Sequence, residues 1–182
     1  AITSVEMNRS RGITCTKQSV IRGVRNVKWP GRFEVLSVDS PTIVVDGAHN
    51  DYSMKKLVQS VKQYFGCGRI LIVFGALAGH SIQGMVMELA TIKPEVIVVR
   101  SRHPKSIPSD VAADIVTQAG LNVIFKTDDV GEGVRHALCT SNKRGLILAT
   151  GSLSVVAEVI EVVQDVPKEI YPNIKGAFRK DY

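Results

Sequence analysis

The chain has 182 residues, enough for one ordinary domain with its own core and some length left over for an appendage. Its 45% apolar and 22% charged content is that of a soluble globular protein and excludes a disordered chain. Lys and Arg number 23 against 17 Asp and Glu, a surplus of six that leaves room for an anionic ligand; these basic residues are dispersed and only 5% of residues are aromatic, so a stacking surface for nucleic acid is not expected.

The longest apolar run, "RILIVFGALAG", is far too short to cross a bilayer, and residues 1–10 lack the hydrophobic core of a signal peptide. A cytoplasmic protein without a membrane partner is the expectation. Cys15, Cys67 and Cys139 stand far apart with no C-x-x-C pairing, which fits neither a disulfide framework nor a zinc site. All three are read as reduced and structural, and no metal site is expected within the chain.

In chain order, "AITSVEMNRSRG" and "TKQSVIRGVRNV" are short helical patterns broken by Gly12, neither with enough apolar face to be stable alone. Residues 1–31 therefore read as a piece of something else. "FEVLSV" at 33–38 is an edge strand, and the short turn "DSP" before the next run allows an antiparallel pairing. From Thr42, β-branched runs at 42–46, 69–74, 95–99, 122–125 and 145–150 alternate with segments of helical period at 52–65, 82–91, 109–119, 129–139 and 153–163. Val155, Val156, Val159, Ile160 and Val163 share one face of the last helix. Residues 166–182, with two prolines and mixed charge, read as a tail over the surface or partly disordered.

Strand and helix alternating at these spacings predict an α/β fold over residues 32–165: a mainly parallel sheet between two helical layers, joined by right-handed crossovers. Ligands of such sheets bind at the carboxyl ends of the strands. Here the first parallel strand ends in Asp46-Gly47-Ala48-His49-Asn50, the second leads to His80, the third ends in "RSRHPK" and the last in Thr150-Gly151-Ser152. Gly47 permits a sharp turn and close backbone approach; Asp46 can accept hydrogen bonds from ribose hydroxyls or an ammonium, and His49 can donate to a carboxylate or phosphate. Arg100, Arg102, His103 and Lys105 make a candidate anion-binding loop, and "TGS" before a helix suits an anion at a helix start.

Plainer roles stand beside these. Asp46 or Asn50 can cap the helix that follows, Ser152 can cap the last helix, and "RSRHPK" can be a solvated loop. His80 and His136 read as surface or satisfied histidines. The chain has no G-x-x-x-x-G-K-[ST] phosphate loop, no G-x-G-x-x-G after the first strand, no G-x-S-x-G elbow and no H-E-x-x-H pair, so it reads as half of a site.

"WPGRFEVL" (29–36) followed by "TIVVDGAHN" (42–50) resembles the start of the C-terminal domain of folylpolyglutamate synthase and dihydrofolate synthase, members of the Mur ligase superfamily. "ILIVFGAL", "VVRSRHPKSIP" and "LILATGSLSVVAEV" resemble later strands and loops of that domain, and "GITCTKQSVIRGVRNVKWPGR" resembles the end of the central ATPase domain and the linker, so that the match spans about 1–163. The resemblance implies a Rossmann-like domain of a ligase that uses ATP to activate a folate or dihydropteroate carboxylate as an acyl phosphate and joins it to L-glutamate. It also implies that the phosphate loop and Mg2+ ligands lie in a preceding P-loop ATPase domain, and that this domain alone is inactive. By position, Arg32 would contact ATP phosphate and Asp46 the nucleotide, His49 would face glutamate or the reaction centre as the catalytic residue, and Ser152 would help hold glutamate. The loop after the second parallel strand often carries Asp-Lys-Asp in that family; here it is "ALAGHS". Two alternatives remain open: a peptidoglycan Mur-type or cyanophycin-synthetase-like ligase, which also carries Asp-x-Ala-His but for which "WPGR" does not argue, and a non-catalytic nucleotide- or anion-binding module.

Overall fold

The β-branched runs pair side by side, and the segments of helical period between them cover the resulting sheet. The computed structural model describes residues 2–8, 12, 15–38, 41–66, 68–141 and 145–168. The chain divides into two compact units, Ala1–Pro30 and Gly31–Tyr182. The first unit holds α1 (Ile2–Asn8) and α2 (Lys17–Arg25), the latter started by Thr16, whose hydroxyl oxygen accepts the N–H of Ser19.

The second unit runs β1 (Glu34–Ser37), β2 (Thr42–Val45), α3 (Asp51–Phe65), β3 (Ile70–Phe74), α4 (Ile82–Ala90), β4 (Glu95–Val99), α5 (Ser109–Gln118), β5 (Asn122–Thr127), α6 (Val130–Thr140), β6 (Leu146–Thr150) and α7 (Leu153–Gln164). These strands form one six-stranded sheet in the order β1-β2-β6-β3-β4-β5. β1 runs antiparallel to β2 and every other neighbouring pair is parallel, the architecture expected from the sequence.

Both faces of the sheet are covered, so its central strands are apolar on both sides: every residue of β3 and β6 is buried. The period of two sorts their side chains cleanly. Val44, Ile72, Phe74, Val96, Val98 and Leu148 pack under α3, α4 and α5. Ile43, Val45, Leu71, Val73, Ile97, Val99 and Ile147 pack under α6 and α7. β6 closes the sheet by entering between β2 and β3. The chain leaves β2 and β3 through helices on one face and leaves β6 through α7 on the other, which opens a crevice at the carboxyl ends of three neighbouring strands.

No helix among the described residues is long and apolar enough to cross a membrane. Cys139 is exposed in the last turn of α6 and so takes no part in a packed core, contrary to the structural role expected of it. Cys67 and residues 169–182 of the expected tail lie outside the described residues.

Candidate functional site at the carboxyl edge of the sheet

The loop leaving β2 is fastened by its own first residue. The Asp46 carboxylate accepts the Phe33 N–H at one oxygen and the Ala48 N–H at the other, both at 2.8 Å. Two further bonds tie the same region: the Gly47 N–H donates to the Gly31 carbonyl at 2.9 Å, and the Gly31 N–H donates to Glu34 Oε2 at 2.8 Å. Asp46 is thus a brace between the segment entering β1 and the loop leaving β2. It does not cap α3; Asn50 does, in a capping box with Ser53.

The Gly47 carbonyl oxygen collects two site residues. His49 Nδ1 lies 2.8 Å from it and Arg32 Nη1 lies 3.4 Å from it. A carbonyl can only accept, so Nδ1 of His49 carries the proton and Nε2 presents a lone pair in the neutral ring. His49 is half-buried while Arg32 is exposed, and Arg32 has no carboxylate partner among the described residues. The arrangement couples a cation that can meet a phosphate to an imidazole nitrogen that can take a proton.

At the end of β6, Ser152 is 2% exposed and caps α7, its hydroxyl oxygen accepting the Val155 N–H at 3.2 Å. That hydroxyl continues a buried chain, Ser152 to Ser154 to Ser101, with both oxygen–oxygen distances 2.9 Å. The chain stitches the start of α7 to the loop after β4. Gly151, at φ 105°, makes the turn between strand and helix; a Cβ there would stand 2.4 Å from the Gly75 carbonyl oxygen.

The loop after β4 differs from expectation. Arg102 was read as an anion ligand, yet Glu161 grips its Nη2 through both carboxylate oxygens at 2.7 Å, and Glu158 accepts its backbone N–H at 2.7 Å. Glu158 and Glu161 are only 4% and 9% exposed, so these carboxylates need a cation and Arg102 supplies it. Burial pushes the Glu158 carboxyl above its ordinary range, against the pull of the Arg102 N–H and guanidinium. His103 Nδ1 accepts the Lys105 N–H at 3.1 Å, which folds the loop tip back on itself, and the Lys105 carbonyl accepts the Ala78 N–H at 2.8 Å. His103 is half-buried and Lys105 exposed on this loop.

Sequence reasoning missed three features. His80, read as a surface or satisfied histidine, is exposed but stands edge-to-face against His49 with ring centroids 5.2 Å apart. Glu158 and Glu161 interrupt the apolar face of α7 three residues apart, a pattern that asks for a cation. Ser101 and Ser154 carried no signal of their pairing. His136 stacks on Phe125 at 4.1 Å on β5 and takes no part in the site. Among the described residues no group of three or more His, Cys, Asp or Glu side chains converges as a metal ligand set would.

The sequence pattern of the family described as "Mur ligase, glutamate ligase domain" matches residues 31–153. The chain is 34% identical over 141 residues to a probable bifunctional folylpolyglutamate synthase/dihydropteroate synthase of Halobacterium salinarum, covering 77% of this chain and 17% of that protein. It is 25% identical over 153 residues to the dihydrofolate synthase/folylpolyglutamate synthase of Bacillus subtilis, covering 84% of this chain and 35% of the relative. The solved structure of E. coli FolC in complex with DHPP and ADP superposes with a TM-score of 0.77 at 24% identity, over 86% of this chain and 36% of that one, a likeness of fold. The chain thus spans about a third or less of the length of these relatives. With the family pattern covering more than half of its residues, on the same sheet edge that gathers Arg32, Asp46, His49 and Ser152, the chain belongs to the Mur ligase glutamate ligase domain family.

Proposed function

We propose that this chain is the C-terminal domain of an ATP-dependent ligase that joins L-glutamate to the carboxylate of a folate or dihydropteroate through an acyl phosphate. The observation that carries the reading is the shared Gly47 carbonyl, which fixes the Arg32 guanidinium and the His49 imidazole side by side at the carboxyl end of β2. The partner is a preceding domain bearing the phosphate loop, which fits a match that covers only 35% of the Bacillus relative. The protein acts in the cytoplasm on small molecules.

In the first step a carboxylate oxygen of the folate-type substrate attacks the γ-phosphorus of ATP and ADP departs. Arg32 meets charge building on the transferring phosphoryl oxygens, as arginines do in other phosphoryl transfers. Asp46 keeps Arg32 in register through Phe33, and the second lone pairs of its oxygens are open to nucleotide hydroxyls. In the second step the glutamate nitrogen attacks the acyl carbon, phosphate leaves, and His49 Nε2 takes the proton lost by the amine. Closure of this domain over the nucleotide keeps water from the acyl phosphate.

Ser152 serves glutamate from inside: its hydroxyl holds the first turn of α7, whose leading N–H groups suit a carboxylate. His103 and Lys105 line the same edge as candidates for an anionic substrate group, and Arg102 holds their loop. Magnesium, when bound, would screen the triphosphate and polarise its γ-phosphoryl group; the described residues of this chain offer it no ligand set, and no step above runs through it.

The test is incorporation of labelled L-glutamate into dihydropteroate or a reduced folate by the longer product of the same reading frame, with ATP. Ligated product and stoichiometric ADP are expected. Absence of product with every folate-type acceptor, alongside ligation to a muramyl peptide, would move the assignment to the peptidoglycan branch.

A further inference from the structure

We propose that His80 is a positioning residue for His49, fixing the plane of its imidazole so that Nε2 keeps one direction at the reaction edge. The inference rests on the ligase reading for its catalytic consequence, and on geometry alone for the pairing.

The two histidines arrive by matching routes on neighbouring elements. His49 immediately precedes Asn50, the N-cap of α3, and His80 immediately precedes Ser81, the N-cap of α4. What brings the two caps together is Gly84 in the first turn of α4: a Cβ there would stand 3.1 Å from the Cβ of Asp51, the first residue of α3, and 2.9 Å from Ser81 Oγ. With no side chain at Gly84 the helix starts close up. The imidazoles then meet at 5.2 Å between centroids and 65° between planes, the edge-to-face arrangement that ring quadrupoles favour.

His49 needs such a neighbour. Among the described residues its side chain makes one hydrogen bond, Nδ1 to the Gly47 carbonyl at 2.8 Å. A ring held at a single nitrogen can still hinge about that contact and swing Nε2 through an arc. A second ring against it removes the hinge, and a catalytic nitrogen misdirected by an ångström loses much of its rate advantage. His80 acts through its ring, not by donating or accepting a proton in the reaction. The "ALAGHS" loop, where the resembling family often carries Asp-Lys-Asp, thus contributes to the site by packing rather than by charge.

Two measurements test this, using His80→Ala and His80→Phe, the second keeping a ring and losing both nitrogens. The first is 15N-edited imidazole NMR of this chain. The wild type and His80→Phe are expected to show a rigid, Nδ1-protonated His49 ring, and His80→Ala to keep the proton on Nδ1 while exchange broadening at Nε2 reports a swinging ring. The second is ligation kinetics in the longer protein. There His80→Ala is expected to lower kcat about two- to tenfold with the KM for ATP unchanged, His80→Phe to recover most of the loss, and His80→Ala to have no further effect when His49 is already Ala.

An unchanged His49 spectrum in His80→Ala, a His80→Phe variant as impaired as His80→Ala, or an unchanged kcat in an active enzyme would each overturn the proposal. A His80→Ala spectrum that changes as expected, beside a longer wild-type protein that ligates nothing, would sink the ligase reading and leave the pairing standing.

Discussion

Arg32 and His49, 17 positions apart in the chain, converge on one acceptor, the Gly47 carbonyl oxygen, at 3.4 Å and 2.8 Å. A single peptide unit therefore sets the spacing between the group assigned to the phosphoryl oxygens and the group assigned to the amine. Arg32→Ala and His49→Ala are each expected to lower ligation in the longer protein by an amount on the order of tens to thousands-fold. Because the two share a support, the double variant should lose less than the product of the single losses. Steady-state rates for the three variants check this; strictly multiplicative losses would mean the shared carbonyl does not couple them.

Asp46 braces Phe33 and Ala48 with both oxygens. Asp46→Asn turns one of them into an NH2 group that faces a backbone N–H, so one half-buried bond is lost and a donor clash is gained. A loss of about 1–3 kcal/mol in equilibrium unfolding is expected. Asp46→Ala should cost at least as much. Wild-type stability in both variants, with activity reduced, would show that Asp46 serves substrate and not the fold.

Glu158 gives a pH dependence with a definite sign. Burial, the largest cause, raises its carboxyl above the ordinary 4.5 in the folded protein. A proton held more tightly when folded contributes stability that is fully present below the unfolded value, and that contribution fades as the pH climbs through the folded value. Glu158→Gln keeps the shape and an oxygen for the Arg102 N–H but does not titrate. Denaturant unfolding should find variant and wild type alike below pH 4.5, with the variant gaining relative to wild type as the pH rises above it. Parallel curves across that window would rule the effect out.

Gly151 and Gly47 both lack room for a side chain, yet the obstacles differ. At Gly151 the backbone sits at φ 105° and the new Cβ would meet the Gly75 carbonyl oxygen at 2.4 Å. At Gly47 the nearest atom, at 2.3 Å, is the tip of Leu153, a side chain 48% exposed that can rotate away. Gly151→Ala is expected to destabilise by about 1–3 kcal/mol from the left-handed conformation alone, with the carbonyl clash added. Gly47→Ala should cost less, and thermal melts of the pair would expose a reversed order.

The fold was legible because its cause is local. β-branched runs such as "TIVVD" and "LILAT" cannot be anything but buried strands at this spacing, and the polar residues that end them mark the sheet edge directly. Asn50 and Ser152 were readable as caps for the same reason. Arg102 was not readable: its partners Glu158 and Glu161 lie 56 and 59 positions away, and only the fold brings α7 against the loop after β4. His80 was legible only as a surface or satisfied histidine because an exposed loop histidine has no periodicity, and its approach to His49 depends on how closely Gly84, in the helix His80 leads into, lets α4 start against α3.

On the proposed function, this chain holds one half of a ligation site. The most direct measurement is ATP- and folate-dependent incorporation of labelled L-glutamate by this chain alone and by the longer product of the same reading frame, side by side. Product is expected from the longer protein only. Ligation by the chain alone at a comparable rate would contradict the half-site, and no product from either, with the longer protein folded, would contradict the ligase.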